Sequence, residues 1–186
     1  MNGAEALKAL YALQEKDLEI DRLRAEAESL PEELVALQGQ VETLEERLTN
    51  LLERRAALER EYNRHSLDIE DLSAKEKQAE EEQKRAQSAR EQTQYENRIQ
   101  QIKDRIRELL ELSTPIMEAM ENLEAEIAQV EEELAALRPR LQELLEANRA
   151  RVAELEAAIA AKVEERTAMA AAIPAQILKE YEAIRR

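Results

Sequence analysis

Cysteine, tryptophan and phenylalanine are absent from this sequence of 186 residues, glycine occurs twice and proline four times. Without cysteine, neither a disulfide framework nor a thiolate zinc site can form within it. So little glycine, and no β-branched runs, exclude a domain of strands and tight turns. No stretch approaches the roughly 18 uninterrupted apolar residues of a membrane span. The opening MNGAEALKAL has neither the basic start nor the apolar core of a signal peptide, so export is not expected and the cytoplasm is the expected location. A glycine-rich phosphate loop, a nucleophile elbow and a histidine-rich metal pattern are all missing, and no enzyme chemistry is expected.

What is present is charge and aliphatic bulk. Charged residues make up 37% and apolar ones 44%, with Leu, Ala, Glu, Arg and Gln dominant, the composition of long helices and coiled coil. From Ile20 the apolar residues alternate by three and four, through Leu23, Ala27, Leu30, Leu34, Leu37, Val41 and onward to Ala86. The polar exceptions are Arg55, His65, Glu76 and Gln83. This mean period of about 3.5 residues brings two helices together along one left-handed seam. A second series runs from Ile99 to Leu141, interrupted only by Ser113. It then steps through Leu145 in a stutter beside Pro139 and resumes at Val152, Leu155 and Ile159.

Between the series the seam fails. From Ser73 to Gln94 the apolar residues are Ala74, Ala79, Ala86 and Ala89 alone, and the second series starts out of phase with the first. A chain reversal near 87–94 accounts for both, so that residue i faces roughly residue 182 − i and each arm extends about 130–140 Å at about 1.5 Å per residue. The expected fold is all-α: a long, kinked, antiparallel two-helix coiled-coil hairpin. Its parts are a base helix over 1–30, an outgoing arm over 31–88, a tip at 89–94, a returning arm over 95–172 and a C-terminal base helix over 173–186. Pro31 suits the first turn of a new helix, with Ser29 as a cap and Glu32 and Glu33 at its positive end. Pro115 and Pro139 are expected to bend the returning arm, and Pro174 to separate a last helix from Ala175 to Arg185. Residues 157–172 hold eight alanines facing Ala4, Ala6, Ala9 and Ala12, so close helix approach is expected at the base.

The net charge of −15 is uneven. Residues 84–107 carry seven cations, Lys84, Arg85, Arg90, Arg98, Lys103, Arg105 and Arg107, against Glu91, Glu96 and Asp104, a balance of +4 that leaves −19 on the remainder. An acidic rod repels nucleic acid and anionic membrane, so an anionic partner would have to meet this segment. At a hairpin tip these cations, with Thr93 and Tyr95, are expected to share one small volume and to hold a phosphate backbone or an acidic protein surface, Tyr95 being available for stacking. The plainer reading is that they solvate a thinly packed tip. His65 and Arg55 read as polar seam residues that fix register. Glutamate runs such as Glu80-Glu81-Glu82 read as solvated faces, not metal sites.

Four blocks go beyond generic heptads. They are Leu10-Tyr11-Ala12-Leu13-Gln14-Glu15-Lys16-Asp17-Leu18-Glu19-Ile20-Asp21-Arg22-Leu23, then Leu30-Pro31-Glu32-Glu33-Leu34, then Thr93-Gln94-Tyr95-Glu96, and last the stretch from Ile173-Pro174-Ala175-Gln176 to Ile184-Arg185. In this order they resemble a bacterial family of coiled-coil hairpins carrying a C-terminal zinc ribbon with four cysteines; the tip block is shorter than the family's usual form. The resemblance implies an adaptor or chaperone-like protein. Some members of that family are linked to flagellar or type III secretion assembly and to an alternative sigma factor, and the ribbon is generally described as a nucleic-acid binder. The paired Cys-x-x-Cys motifs would follow Arg186, so zinc is expected only where that ribbon exists and no cofactor is expected in these residues.

The expectation is therefore a cytoplasmic, non-enzymatic adaptor with protein partners docking at tip or base. By resemblance these include a sigma factor or a secretion or flagellar component. The alternatives are a nucleic-acid-binding module acting through the tip or the ribbon, and a structural rod pairing in parallel over about 280 Å. No membrane partner is expected, and the chain is expected to be a monomer or a weak homodimer.

Overall fold

The computed structural model describes residues 2–186; 94% of the described residues are helical, and none of them is in a strand. Four helices follow in order: α1 (Gly3–Glu28), α2 (Glu32–Lys84), α3 (Ala89–Ala171) and α4 (Ala175–Arg185). They form a coiled-coil hairpin. The chain divides into two compact units, one of Val41–Ala136 and one joining the chain up to Gln40 with Leu137–Arg186.

The Val41–Ala136 unit is the hairpin proper. Its arms meet through the seam the 3-4 spacing defines: Val41, Leu51 and Ala79 on α2 and Ile99, Ile102, Leu109, Ile116, Leu123, Ile127, Val130 and Leu134 on α3 are all buried. Leu109 and Leu134 are 1% and 0% exposed, and burying each such side chain is worth about 2–3 kcal/mol. The arms run antiparallel, since Arg55 bonds Glu124 while Glu76, further along α2, meets Lys103, earlier on α3. Both pairings fall close to the 182 − i expectation.

The reversal lies earlier than the sequence spacing places it. α2 stops at Lys84 and α3 starts at Ala89, so the turn is Arg85–Ser88, and residues 89–94 are already the first turns of α3. The cause is local capping. The backbone N–H of Arg85 and of Ala86 donate to Glu82 and Gln83 (3.0 and 3.1 Å), tightening the end of α2. Ser88 then opens α3, its Oγ accepting from the N–H of Glu91 (3.1 Å) while the Glu91 carboxylate accepts from the N–H of Gln87 (3.2 Å).

α3 is an unbroken helix of 83 residues that passes through both Pro115 and Pro139. Each proline removes one donor, and the bonds on either side carry the helix across. In the second unit, α1 ends where Ser29 donates its N–H to Ala25, so Ser29 closes α1 instead of capping α2. Pro31 supplies the first carbonyl of α2, accepting from Val35 (3.1 Å). Leu30 lies between the two helices and is 52% exposed, off the seam its spacing assigns it. Of the base alanines, Ala6 and Ala170 are buried, whereas Ala4 and Ala12 face solvent.

Candidate functional site

The basic segment is dispersed. Arg85 sits in the turn, and Arg90, Arg98, Lys103, Arg105 and Arg107 follow along α3. At about 1.5 Å per residue, Ala89 to Arg107 covers about 27 Å of helix, so the cations do not share one small volume. Most are also engaged within their own arm or with the facing one. Lys84 meets Glu81 (3.6 Å), Lys103 meets Glu76 across the seam (3.9 Å), Arg105 meets Glu108 (2.8 Å), and Arg107 pairs with Asp104. Among the described residues, Arg85, Arg90 and Arg98 make no ion pair and are exposed. Thr93 spends its hydroxyl on the Ala89 carbonyl (3.0 Å), and Tyr95 is half-buried. Of the seven cations, the guanidinium groups of Arg85, Arg90 and Arg98 are thus the ones left without an ion pair among the described residues.

The base holds a constellation that sequence reasoning missed. Asp17 is buried, 4% exposed, on α1. Its carboxylate accepts from Arg166 Nε of α3 (3.0 Å) and from the Tyr181 hydroxyl of α4 (2.6 Å), and the Arg185 guanidinium lies 3.7 Å away. Arg166 also donates to Glu182 (3.1 Å), and Arg185 donates to both oxygens of Asp21 (2.9 Å each). One buried carboxylate therefore clasps three helices. Burial, followed by the bond to Asp17, pushes the Tyr181 hydroxyl above its ordinary 10.0. Burial works against the charge of Arg166 and Arg185, but their carboxylate partners outweigh it and hold both above the ordinary guanidinium range. Beneath the clasp, Leu13, Ala170 and Ile173 form an apolar cluster flanked by Met169, Ile177 and Leu178.

Further rungs hold α1 to α3. Lys16 donates to Glu165 (2.6 Å), and Lys162 pairs with Glu19 (3.1 Å). The Arg151 guanidinium donates to the carbonyls of Glu26 (2.8 Å) and Ser29 (2.6 Å), satisfying the exposed end of α1. In the hairpin unit Arg55 bonds Glu124 (2.6 Å), as a seam arginine reaching a facing glutamate should. His65 lies on the seam with Nδ1 buried and without a partner, and its Nε2 is 3.9 Å from Glu61.

Nothing in these residues fits a zinc ion. The chain has no cysteine and one histidine, and no group of three His, Asp or Glu side chains among the described residues is placed to hold a metal. No helix among the described residues is long and apolar enough to cross a membrane. The groove lined by Arg54, Ala57, Leu58, Ala119, Asn122 and Leu123 lies open to solvent along the flank of the hairpin.

These features define a helical-hairpin protein whose polar contacts join helices to one another. Over residues 13–186 it matches the CT398-like coiled coil hairpin domain, and it belongs to that family. A solved structure from Mycobacterium smegmatis superposes with a TM-score of 0.75 at 25% identity, over 97% of this chain and 76% of that one. The HP0958 protein from Helicobacter pylori superposes with a TM-score of 0.69 at 18% identity, over 100% of this chain and 78% of that one, a likeness of fold. No curated protein matches the sequence.

Proposed function

We propose that the protein is a non-enzymatic, cytoplasmic adaptor that presents the hairpin turn to an acidic protein surface. The observation that carries this reading is the charge sorting along the basic segment. Lys84, Lys103, Arg105 and Arg107 are spent on carboxylates of this chain, whereas Arg85, Arg90 and Arg98 are left for a partner. Membership of a coiled-coil hairpin family supports a scaffold over a catalyst, and its surface grooves are open where a substrate site is enclosed. The sequence resemblance directs the search toward a sigma factor or a component of flagellar or secretion assembly.

The test is site-specific photocrosslinking in cells from the exposed position 94, against a control at the exposed Glu46. A partner captured from 94 and lost on Arg85→Glu, Arg90→Glu and Arg98→Glu together supports the adaptor; capture indifferent to that triple reversal overturns it. The alternative occupant of the three arginines is a nucleic-acid backbone, with Tyr95 as a stacking face. Titration of single-stranded RNA and duplex DNA at low salt distinguishes the two, since the adaptor reading expects no saturable binding there.

A further inference from the structure

α1 has two apolar faces. One, carrying Ala6, Leu13 and Ile20, is buried within its unit. The other repeats by four and three through Leu7, Tyr11, Gln14 and Leu18, and the chain leaves it open: Leu7 is 69% exposed, Tyr11 64% and Leu18 48%. That spacing is a seam without a facing helix. Beside it runs a groove between α1 and α4, bordered by Gln14, Leu18, Asp21, Tyr181, Ile184 and Arg185. Ile184, on its rim, is 86% exposed. The seam is flanked by Lys8 and Glu15, both exposed and unpaired among the described residues.

We propose that this outer face of α1 is a self-association seam, occupied by the same face of a second copy running antiparallel. Setting Tyr11 against Gln14 of the second copy also sets Leu7 against Leu18. Leu7 of each copy then enters the groove bordered by Leu18, Tyr181 and Ile184 of the other, a self-complementary two-fold contact. The same placement brings Lys8 beside Glu15 of the second copy, twice by symmetry. A parallel pairing gains neither, because it sets Lys8 beside Gly3 and Glu15 beside Leu10. Its one opposite-charge match, Asp17 with Arg22, is spent, since Asp17 is buried in the clasp. Two short helical faces bury little area, so the dimer forms and dissociates with concentration.

Sedimentation of the whole chain from low micromolar to millimolar concentration tests the seam. A monomer–dimer equilibrium is expected. Leu18→Glu, an exposed change, is expected to abolish the dimer while leaving thermal unfolding of the monomer unaltered. Lys8→Glu is expected to raise the dimer Kd about tenfold, and Lys8→Glu with Glu15→Lys to restore it. Orientation is read with the cysteine-free chain itself: Leu7→Cys and Leu18→Cys chains are expected to crosslink with each other on oxidation, and neither with its own kind. A chain that stays monomeric overturns the proposal and leaves the face to a different protein. A dimer unaffected by Leu18→Glu, or Leu7→Cys crosslinking to itself, overturns it equally.

Discussion

At Asp17 donors from two helices remote in sequence converge on one carboxylate, and this makes the residue expensive to lose. Asp17→Ala leaves the Arg166 guanidinium and the Tyr181 hydroxyl half-buried without their shared acceptor. Removal of one partner from such a group costs about 2–4 kcal/mol, so thermal unfolding should move down by several degrees. His65 lies at the other extreme. Its buried Nδ1 satisfies nothing, so His65→Leu should stabilise the hairpin by about 1 kcal/mol in chemical denaturation, at some cost in register. His65 was legible in the sequence as a polar exception on an apolar seam. Asp17 was not, although it lies three residues before Ile20 and four after Leu13, where the same seam continues backward. The partners that make its burial tolerable, Arg166, Tyr181 and Arg185, stand far along the chain, and no local pattern links them to it.

Helices were legible as elements because the 3-4 spacing states both their period and their buried face. Their ends were harder. Reading the phase break as the turn placed the tip at 89–94, whereas capping chemistry places it at Arg85–Ser88; the Ser88-x-x-Glu91 signature was the overlooked signal. Ser88→Ala should cost about 1 kcal/mol and speed amide exchange in the first turn of α3, with the base unaffected. The rungs between α1 and α3 carry a pH dependence. Glu19 is held below its ordinary 4.5 by the bond and charge of Lys162, and Glu165 likewise by Lys16. As pH falls, the unfolded chain therefore binds these protons first. The contribution is whole above about pH 4.5 and disappears as pH drops through the lowered folded values. Lys16 runs the other way: the bond to Glu165 raises it above 10.5, so its contribution is present below that value and lost as pH climbs through the raised one. Urea midpoints should fall between about pH 5 and about pH 3, and Lys16→Met with Lys162→Met should flatten that decline.

Across the whole molecule the sign of the charge was legible but its availability was not. Composition gave seven cations between 84 and 107, yet side-chain pairing decides that three of them are free. Any polyanion held there should show a log–log salt slope of about −2 to −3, as three phosphate contacts give, and Arg90→Glu should make it shallower by about one. A slope near −6 would mean that the paired cations also take part. The shared seam of the hairpin unit also constrains how such a chain changes over generations. Each residue removed from α2 rotates everything beyond it by about 100°, carrying the apolar stripe away from α3. Insertions and deletions in one arm should therefore survive only in sevens, matched by a compensating change in the opposite arm. Length variation among relatives should come in paired steps of about 10 Å of helix.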